Sequence, residues 1–424
     1  RRAAPTIADT SRNTPAAPTE PRMRIAYLAP EFPGQTHTWK WRERNHLQEL
    51  GFDVRMVSTR PPLDRDRARH DWAADAKAAT TYLWPMPALA IARATLALLT
   101  IRLPALLACI GLCRRIHADG GPSTFSSLKL VIPAHTLATW INRTGIKHVH
   151  CATPAGSLIT ALLARKINPR FTVDCTVNAN FDWWGGGLNA KFAEIDALFV
   201  IVGWMEEQAR NDFSESITSK MHLARLGVDT REWQERTPPP APPPFTIVTV
   251  GRLHPSKGHD DLIRAVASLR DNGRDVTLAL LGEGPQRQEL EQLAQSLGLG
   301  DAVEFTGSVP EHEVRARLEA AYAFVGASHA EPLGVVYIEA MALSVPTIGT
   351  DAKGPKEIIA DGESGLLVPP KDHAALAAAI ARLIDDPHLA AKLGKAGRAR
   401  VIEQYDSRIG AKVVHDAIAA LHKH

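Results

Sequence analysis

Two stretches of this 424-residue chain carry side chains that can do chemistry. The first is Gly251-Arg252-Leu-His-Pro-Ser-Lys257-Gly258, directly after the apolar run Phe245 to Val250. Its glycines let backbone come close to a phosphate, and a helix opening near Gly258 presents unpaired N–H groups at its positive dipole end. Arg252 and Lys257 add two full charges. At ~4 Å and an effective dielectric of ~20, each cation–phosphate contact is worth roughly 4 kcal/mol before desolvation. The second stretch holds Glu331 and Glu339 within Glu-Pro-Leu-Gly-Val-Val-Tyr-Ile-Glu. On one continuous helix the two carboxylates would stand ~12 Å apart along the axis and about 80° apart around it. Paired glycosidase carboxylates sit roughly 5–9.5 Å apart, so one helix would not pair them. Pro332 and Gly334 instead place Glu331 in a loop, with a helix starting near Val335 and Glu339 in its early turns. Glu331 then faces sugar hydroxyls and Glu339 holds a ribose, while the N–H groups of Gly334, Val335 and Val336 meet phosphates. A solvated turn and two solvated carboxylates are the bland alternatives. The order of the two stretches, each in a strand-loop-helix setting, favours a grip on the diphosphate of a nucleotide sugar.

The gross numbers bound the rest. A hydrophobic share of 45%, a charged share of 22% and a net charge of +3 are ordinary for a globular protein and carry no nucleic-acid signature. Four cysteines without framework spacing (Cys109, Cys113, Cys151, Cys175) fit a reducing cytoplasm. Residues 1–22 are rich in Ala, Thr and Pro, lack the apolar core of a signal peptide, and read as a disordered leader.

From Met23 the pattern is strand 24–30, loop Glu31 to Thr36, helix Trp39 to Leu50 and strand 52–58, a βαβ unit. Further strands are expected at 147–151, 171–177, 197–202 and 220–224. Thr237 to Pro244, almost all proline, cannot hold a hydrogen-bonded ladder and reads as a stiff spacer. After it the alternation restarts: strands 245–250, 276–281, 303–305, 323–327 and 347–350, with helices between. The predicted fold class is α/β, with two Rossmann-like doubly wound parallel-sheet domains facing a cleft at the carboxyl ends of their strands. The divisions are 23–237 for the acceptor-side domain, 238–244 for the linker, 245–400 for the donor domain, and 401–424 for a helix returning toward the first domain.

With these motifs the chain resembles the retaining glycosyltransferase family 4, whose members have the two-domain GT-B fold. Leu226-Gly-Val-Asp229, Gly282-Glu-Gly-Pro285, Val303 to Pro310 and Asp361 to Pro370 add to the likeness. Phe32 to Glu43 resembles the branch that builds bacterial exopolysaccharide and colanic-acid-like repeats. The resemblance implies that Arg252 and Lys257 bind diphosphate, Val309 offers backbone to the base, Glu339 takes ribose and Glu331 contacts the transferred sugar. Leu333, Gly334, Val335 and Val336 complete the donor site, and Gly34 closes on the phosphates from the opposite domain. Glu331, Lys257 and Arg252 are the candidate catalytic groups. The chain departs from the family at Asn178, where a histidine often lines the sugar site, and at Lys353-Gly-Pro-Lys-Glu357, in place of Gly-Gly-x-Pro-Glu. Asn can hydrogen-bond a hydroxyl but cannot move a proton near neutral pH. His150 matches a position near the acceptor cleft and equally suits a core histidine.

Other groupings carry less. Cys109, Cys113 and His117 at i+4 spacing read as a helix stripe without a fourth ligand. Asp64-Arg-Asp66 lies in a charge run and reads as a solvated loop. Residues 83–113 are strongly apolar but broken by Arg102 and Pro104. They read either as interfacial helices or as a hairpin packed on its own domain. The reading is a hexosyltransferase, needing neither metal nor cofactor, peripheral on the inner face of the cytoplasmic membrane. Its expected partners are a UDP- or GDP-sugar donor and a glycan or polyprenyl-diphosphate-linked acceptor. The alternative is a non-catalytic nucleotide-sugar or glycan-binding protein on the same scaffold.

Overall fold

The computed structural model describes residues 22–63, 67–84, 101–237 and 243–423. Asp64-Arg-Asp66, most of the proline spacer, the leader before Arg22 and the middle of the 83–113 segment lie outside these residues.

In β1 (Arg24–Glu31), residues Ile25 to Ala29 are all buried. A run buried on both faces marks a central strand covered by helices on either side. β1 pairs in parallel with β2 (Asp53–Arg60) and β4 (His148–Cys151). With β3 (Thr80–Tyr82), β5 (Thr172–Val177), β6 (Ala197–Val200) and β7 (Met221–Leu223) it forms a seven-stranded parallel sheet of order β3-β2-β1-β4-β5-β6-β7. The second lobe repeats the plan. β8 (Phe245–Val250), β9 (Val276–Leu281), β10 (Val303–Gly307), β11 (Ala323–Val325), β12 (Thr347–Thr350) and β13 (Leu366–Val368) form a parallel sheet of order β10-β9-β8-β11-β12-β13.

Both sheets therefore reverse direction beside their first strand, at β1/β4 and at β8/β11. At such a switch point the loops leaving two neighbouring strands diverge and open a crevice. In the second lobe those loops run from Gly251 to Gly258 and from Gly326 to Gly334, the two stretches whose chemistry stands out in the sequence. Topology thus brings together residues some eighty positions apart.

Two strands, β3 and β13, have no counterpart in the sequence reading. At three residues each they are too short to show a period of two. The second lobe's last helix, Pro387–Gln404, runs past residue 400. The helix Ser407–Ala420 then packs on Thr38–Glu49 of the first lobe. Ser407 Oγ lies 2.8 Å from His46 Nε2, and the His415 and Phe52 rings sit 4.5 Å apart. Val414 and Ile418 join the apolar cluster of Ile25, Tyr27 and Phe52.

Candidate donor-binding cleft

A cavity of about 520 Å³ lies between the lobes. From the second lobe it is lined by Arg252, Lys257, Val309, Glu331, Leu333, Gly334, Val335, Val336 and Glu339, and from the first by Asn178. The structure thus gathers every donor residue read from the sequence except Gly34, whose neighbours Gln35 and Thr36 line the cavity instead.

Local structure explains the gathering. Pro255–Lys257 forms a single 3-10 turn, and His329 N–H donates to Ser256 O at 2.8 Å, tying this loop to the one after β11. His329 Nε2 sits 2.7 Å from Asp261 Oδ2, which fixes the tie from below. Lys257 Nζ pairs with Glu331 Oε2. The Arg252 guanidinium is exposed toward the cleft and pairs with no carboxylate among the described residues. The helix Val335–Ala342 starts after Gly334 at φ 86°, with no side-chain cap. A Cβ there would lie 2.6 Å from the Tyr337 ring, so only glycine fits this turn. With no cap, the first amides of that helix face the cleft unpaired. Two cations and open amides on one wall make an anion site.

Glu339 is half-buried, and its carboxyl is pushed up to about 7, chiefly by burial and then by Glu311, with Arg42 opposing. His259 packs beneath the Arg252 loop, its Nε2 3.2 Å from Arg252 O. Burial brings its pKa down to about 4, so it stays neutral and donates that bond.

The first lobe adds residues that the sequence reading did not single out. Arg42 is buried and donates to Gly227 O at 2.8 Å and to Glu311 Oε1 at 2.8 Å across the cleft. Gln35 Nε2 donates to Val309 O at 3.2 Å, while its Oε1 accepts from Arg69 N–H at 2.9 Å. Glu311 N–H donates to His70 Nδ1 at 3.2 Å, which leaves the His70 proton on Nε2 to donate to Gln35 O at 2.8 Å. The three pairs that cross the cleft, Arg42–Glu311, Gln35–Val309 and His70–Glu311, join positions more than 200 residues apart, a separation at which sequence spacing carries no signal.

His150 is a correction. It lies in the core and away from the cleft, fully buried on β4, with Nδ1 2.7 Å from Asp174 Oδ1 and Nε2 3.6 Å from Glu43 Oε2. The first contact is a close ion pair whose angle falls short of a hydrogen bond. Burial alone would lower the imidazole, but Asp174 and Glu43 outweigh it and hold its pKa at about 10. Tyr27 Oη donates to Glu43 Oε2 at 2.5 Å, and His148 Nε2 meets Asp174 Oδ2 at 2.8 Å. The physical reason is register: His150 stands opposite Asp174 on β5, and the pair is covered on both faces. Asn178, at the end of the same strand, does reach the cleft, and its Oδ1 has no partner among the described residues.

Comparison with known proteins places this geometry. The chain is 32% identical over 213 residues to a glycogen synthase of Mycobacterium tuberculosis, covering 50% of this chain and 51% of that protein. It is 37% identical over 169 residues to a GDP-mannose-dependent alpha-(1-6)-phosphatidylinositol monomannoside mannosyltransferase of Mycolicibacterium smegmatis, covering 38% and 44%. The chain thus spans about half the length of the curated relatives it matches. Among solved structures, Anabaena Alr3699/HepE in complex with UDP and glucose superposes with a TM-score of 0.68 at 15% identity, over 94% of this chain and 100% of that one. At that identity the likeness concerns the fold, which is GT-B. Residues 230–400, which hold every donor-site residue named above in the second lobe, match the family model described as "Glycosyl transferases group 1".

Proposed function

We propose that this protein is a retaining glycosyltransferase of family 4 that moves a hexose from a UDP- or GDP-sugar to a lipid-linked glycan acceptor. It works without a metal, in exopolysaccharide or related cell-surface glycan synthesis. One observation carries the reading: Arg252, Lys257 and the open amides of Val335 and Val336 share one wall of the interlobe cleft with Glu331 and Glu339. As the glycosidic bond breaks, the leaving diphosphate gains negative charge, and this wall meets it with fixed positive charge. Lys257, paired with Glu331 before the donor enters, then lies between the diphosphate and the carboxylate that faces the sugar. The acceptor hydroxyl attacks from the face that the diphosphate vacates, and a phosphate oxygen takes its proton. The names of the relatives support the donor class, since one uses GDP-mannose and a structural neighbour was solved with UDP. A panel of UDP- and GDP-sugars tests the reading through release of free nucleoside diphosphate. One donor releases it in excess of the rest; silence across the panel contradicts the proposal.

Donor binding follows pH through Glu339. Its carboxylate accepts the ribose hydroxyl bonds, and its pKa near 7 before binding means that part of the protein must first lose a proton. Donor affinity measured by calorimetry therefore rises from pH 6 to pH 8. Below pH 7 the change approaches about tenfold per pH unit. Glu339→Gln flattens the profile.

We place the enzyme at the inner face of the cytoplasmic membrane. No described helix is long and apolar enough to cross a bilayer. Leu103 (66% exposed) and Leu107 (58%) stand one turn apart on the helix Leu103–Ala118, with Arg102 and Arg114 exposed beside and beyond them. The short helix Thr124–Leu128 packed on it exposes Phe125 (73%), with the Lys129 ammonium 4.9 Å from its ring. Exposed apolar side chains and cations on the same two helices suit an anionic lipid surface. Burying one leucine gives roughly 1.5–3 kcal/mol. Leu103→Glu with Leu107→Glu should cut co-sedimentation with anionic vesicles at least about tenfold and leave turnover of a soluble acceptor unchanged.

A further inference from the structure

We infer that Trp204 and Glu357 form a positioning pair through which the first lobe, on closing, sets the pose of Glu331; this rests on the transferase reading above. The helix Gly203–Asp212 of the first lobe begins after Val202, which offers no capping side chain. Its open amides are met instead from the second lobe. Gly203 N–H donates to Glu357 Oε1 at 2.6 Å and Trp204 N–H to Glu357 Oε2 at 3.1 Å. One carboxylate thus takes two amides at the positive end of a ten-residue helix 154 positions away.

Trp204 extends the link to the sugar loop. Its indole Nε1–H donates to Pro332 O at 3.0 Å, one residue from Glu331, and Lys353 Nζ sits over its ring at 4.7 Å. The short helix Lys353–Ile358 closes the circuit. At its start Gly354 N–H donates to Glu331 O at 2.9 Å. A Cβ on Gly354 would stand 2.6 Å from Leu333 O and 2.7 Å from Glu331 O, so that approach needs glycine. Near its end Glu357 is anchored to its own lobe, its carbonyl accepting from Tyr405 Oη and Arg400 Nη2, each at 3.0 Å. Glu331 therefore hangs from a loop whose outer face is satisfied by the opposite lobe. When the lobes part, Pro332 O and the Glu357 carboxylate lose their partners together, and Glu331 keeps only the contacts of its own lobe. This gives Glu357 of the Lys353-Gly-Pro-Lys-Glu357 motif a use that touches no substrate.

Hydrogen exchange tests the pair on the full chain, alone and with UDP or GDP. Trp204→Phe keeps an aromatic ring there and removes the indole donor. Glu357→Gln keeps the volume and removes the charge. Both should speed exchange several-fold in residues 330–336 and 203–206, with the rest of the chain as in wild type. In turnover assays both should lower kcat about tenfold and shift nucleoside diphosphate affinity less than about threefold. Unchanged exchange at 330–336 in both variants would overturn the inference, as would faster exchange across the whole chain. The exchange result stands whether or not the wild type transfers sugar, so a failure of the pair is distinguishable from a failure of the transferase reading.

Discussion

Lys257→Ala should reduce sugar transfer by about two to three orders of magnitude while the protein stays folded. The ammonium is one of two cations on the diphosphate wall and the one paired with Glu331. Its removal takes charge stabilisation from the leaving group and also frees a carboxylate that would then repel the incoming diphosphate. Both effects raise the barrier. The stability cost is small because the pair is partly open to water, where an ion pair is worth about 1 kcal/mol or less. A melting temperature within a few degrees of wild type, with kcat/KM collapsed, is the expected pattern. Near-normal turnover would refute the role given to this residue. Lys257→Arg keeps the charge but changes its shape, and should recover only part of the loss.

Asp174→Asn should destabilise the first lobe by about 3 kcal/mol. The carboxylate is fully buried between His148 and His150, and burial, which raises it, is outweighed by the two histidines, so its pKa lies below the usual range. The variant leaves the His150 imidazolium in the core with Glu43, 3.6 Å away, as its one remaining carboxylate partner among the described residues. The pH dependence has a definite sign. Asp174, lowered in the folded state, contributes above the ordinary aspartate pKa and loses that contribution as pH falls through its folded value. His150, raised to about 10, contributes fully below its unfolded value of about 6.5 and loses that contribution as pH rises toward 10. The gap in urea midpoint between wild type and variant should therefore be widest near pH 5 to 6 and narrow steadily above it. A gap that does not change with pH would show that His150 is neutral in the fold.

Much of this was legible in the sequence for a physical reason. Strands covered on both faces are mostly apolar, so runs such as Ile25 to Ala29 and the Phe245 to Val250 strand announce themselves, and the glycine-rich loops after them mark the switch points. What escaped depends on the third dimension. Arg42, Gln35 and His70 meet Glu311 and Val309 only because the lobes face each other. Nothing in their local sequence distinguishes them from surface side chains. His150 was half-legible: its alternation with His148 does put both on one face, but that face is core. Asp174, charged between the apolar Val173 and Cys175 on a strand, was the clue that a buried partner was needed. β3 and β13 were invisible because three residues cannot display an alternation.

The central claim is that the wall of Arg252, Lys257 and the Val335 and Val336 amides grips a diphosphate. A crystal of the protein soaked with UDP or GDP tests it directly. The account predicts the two phosphates within hydrogen-bond distance of both cations and of those amides, with the ribose on Glu339. Phosphates bound elsewhere, or a bound nucleotide with Arg252 and Lys257 turned away into solvent, would contradict it.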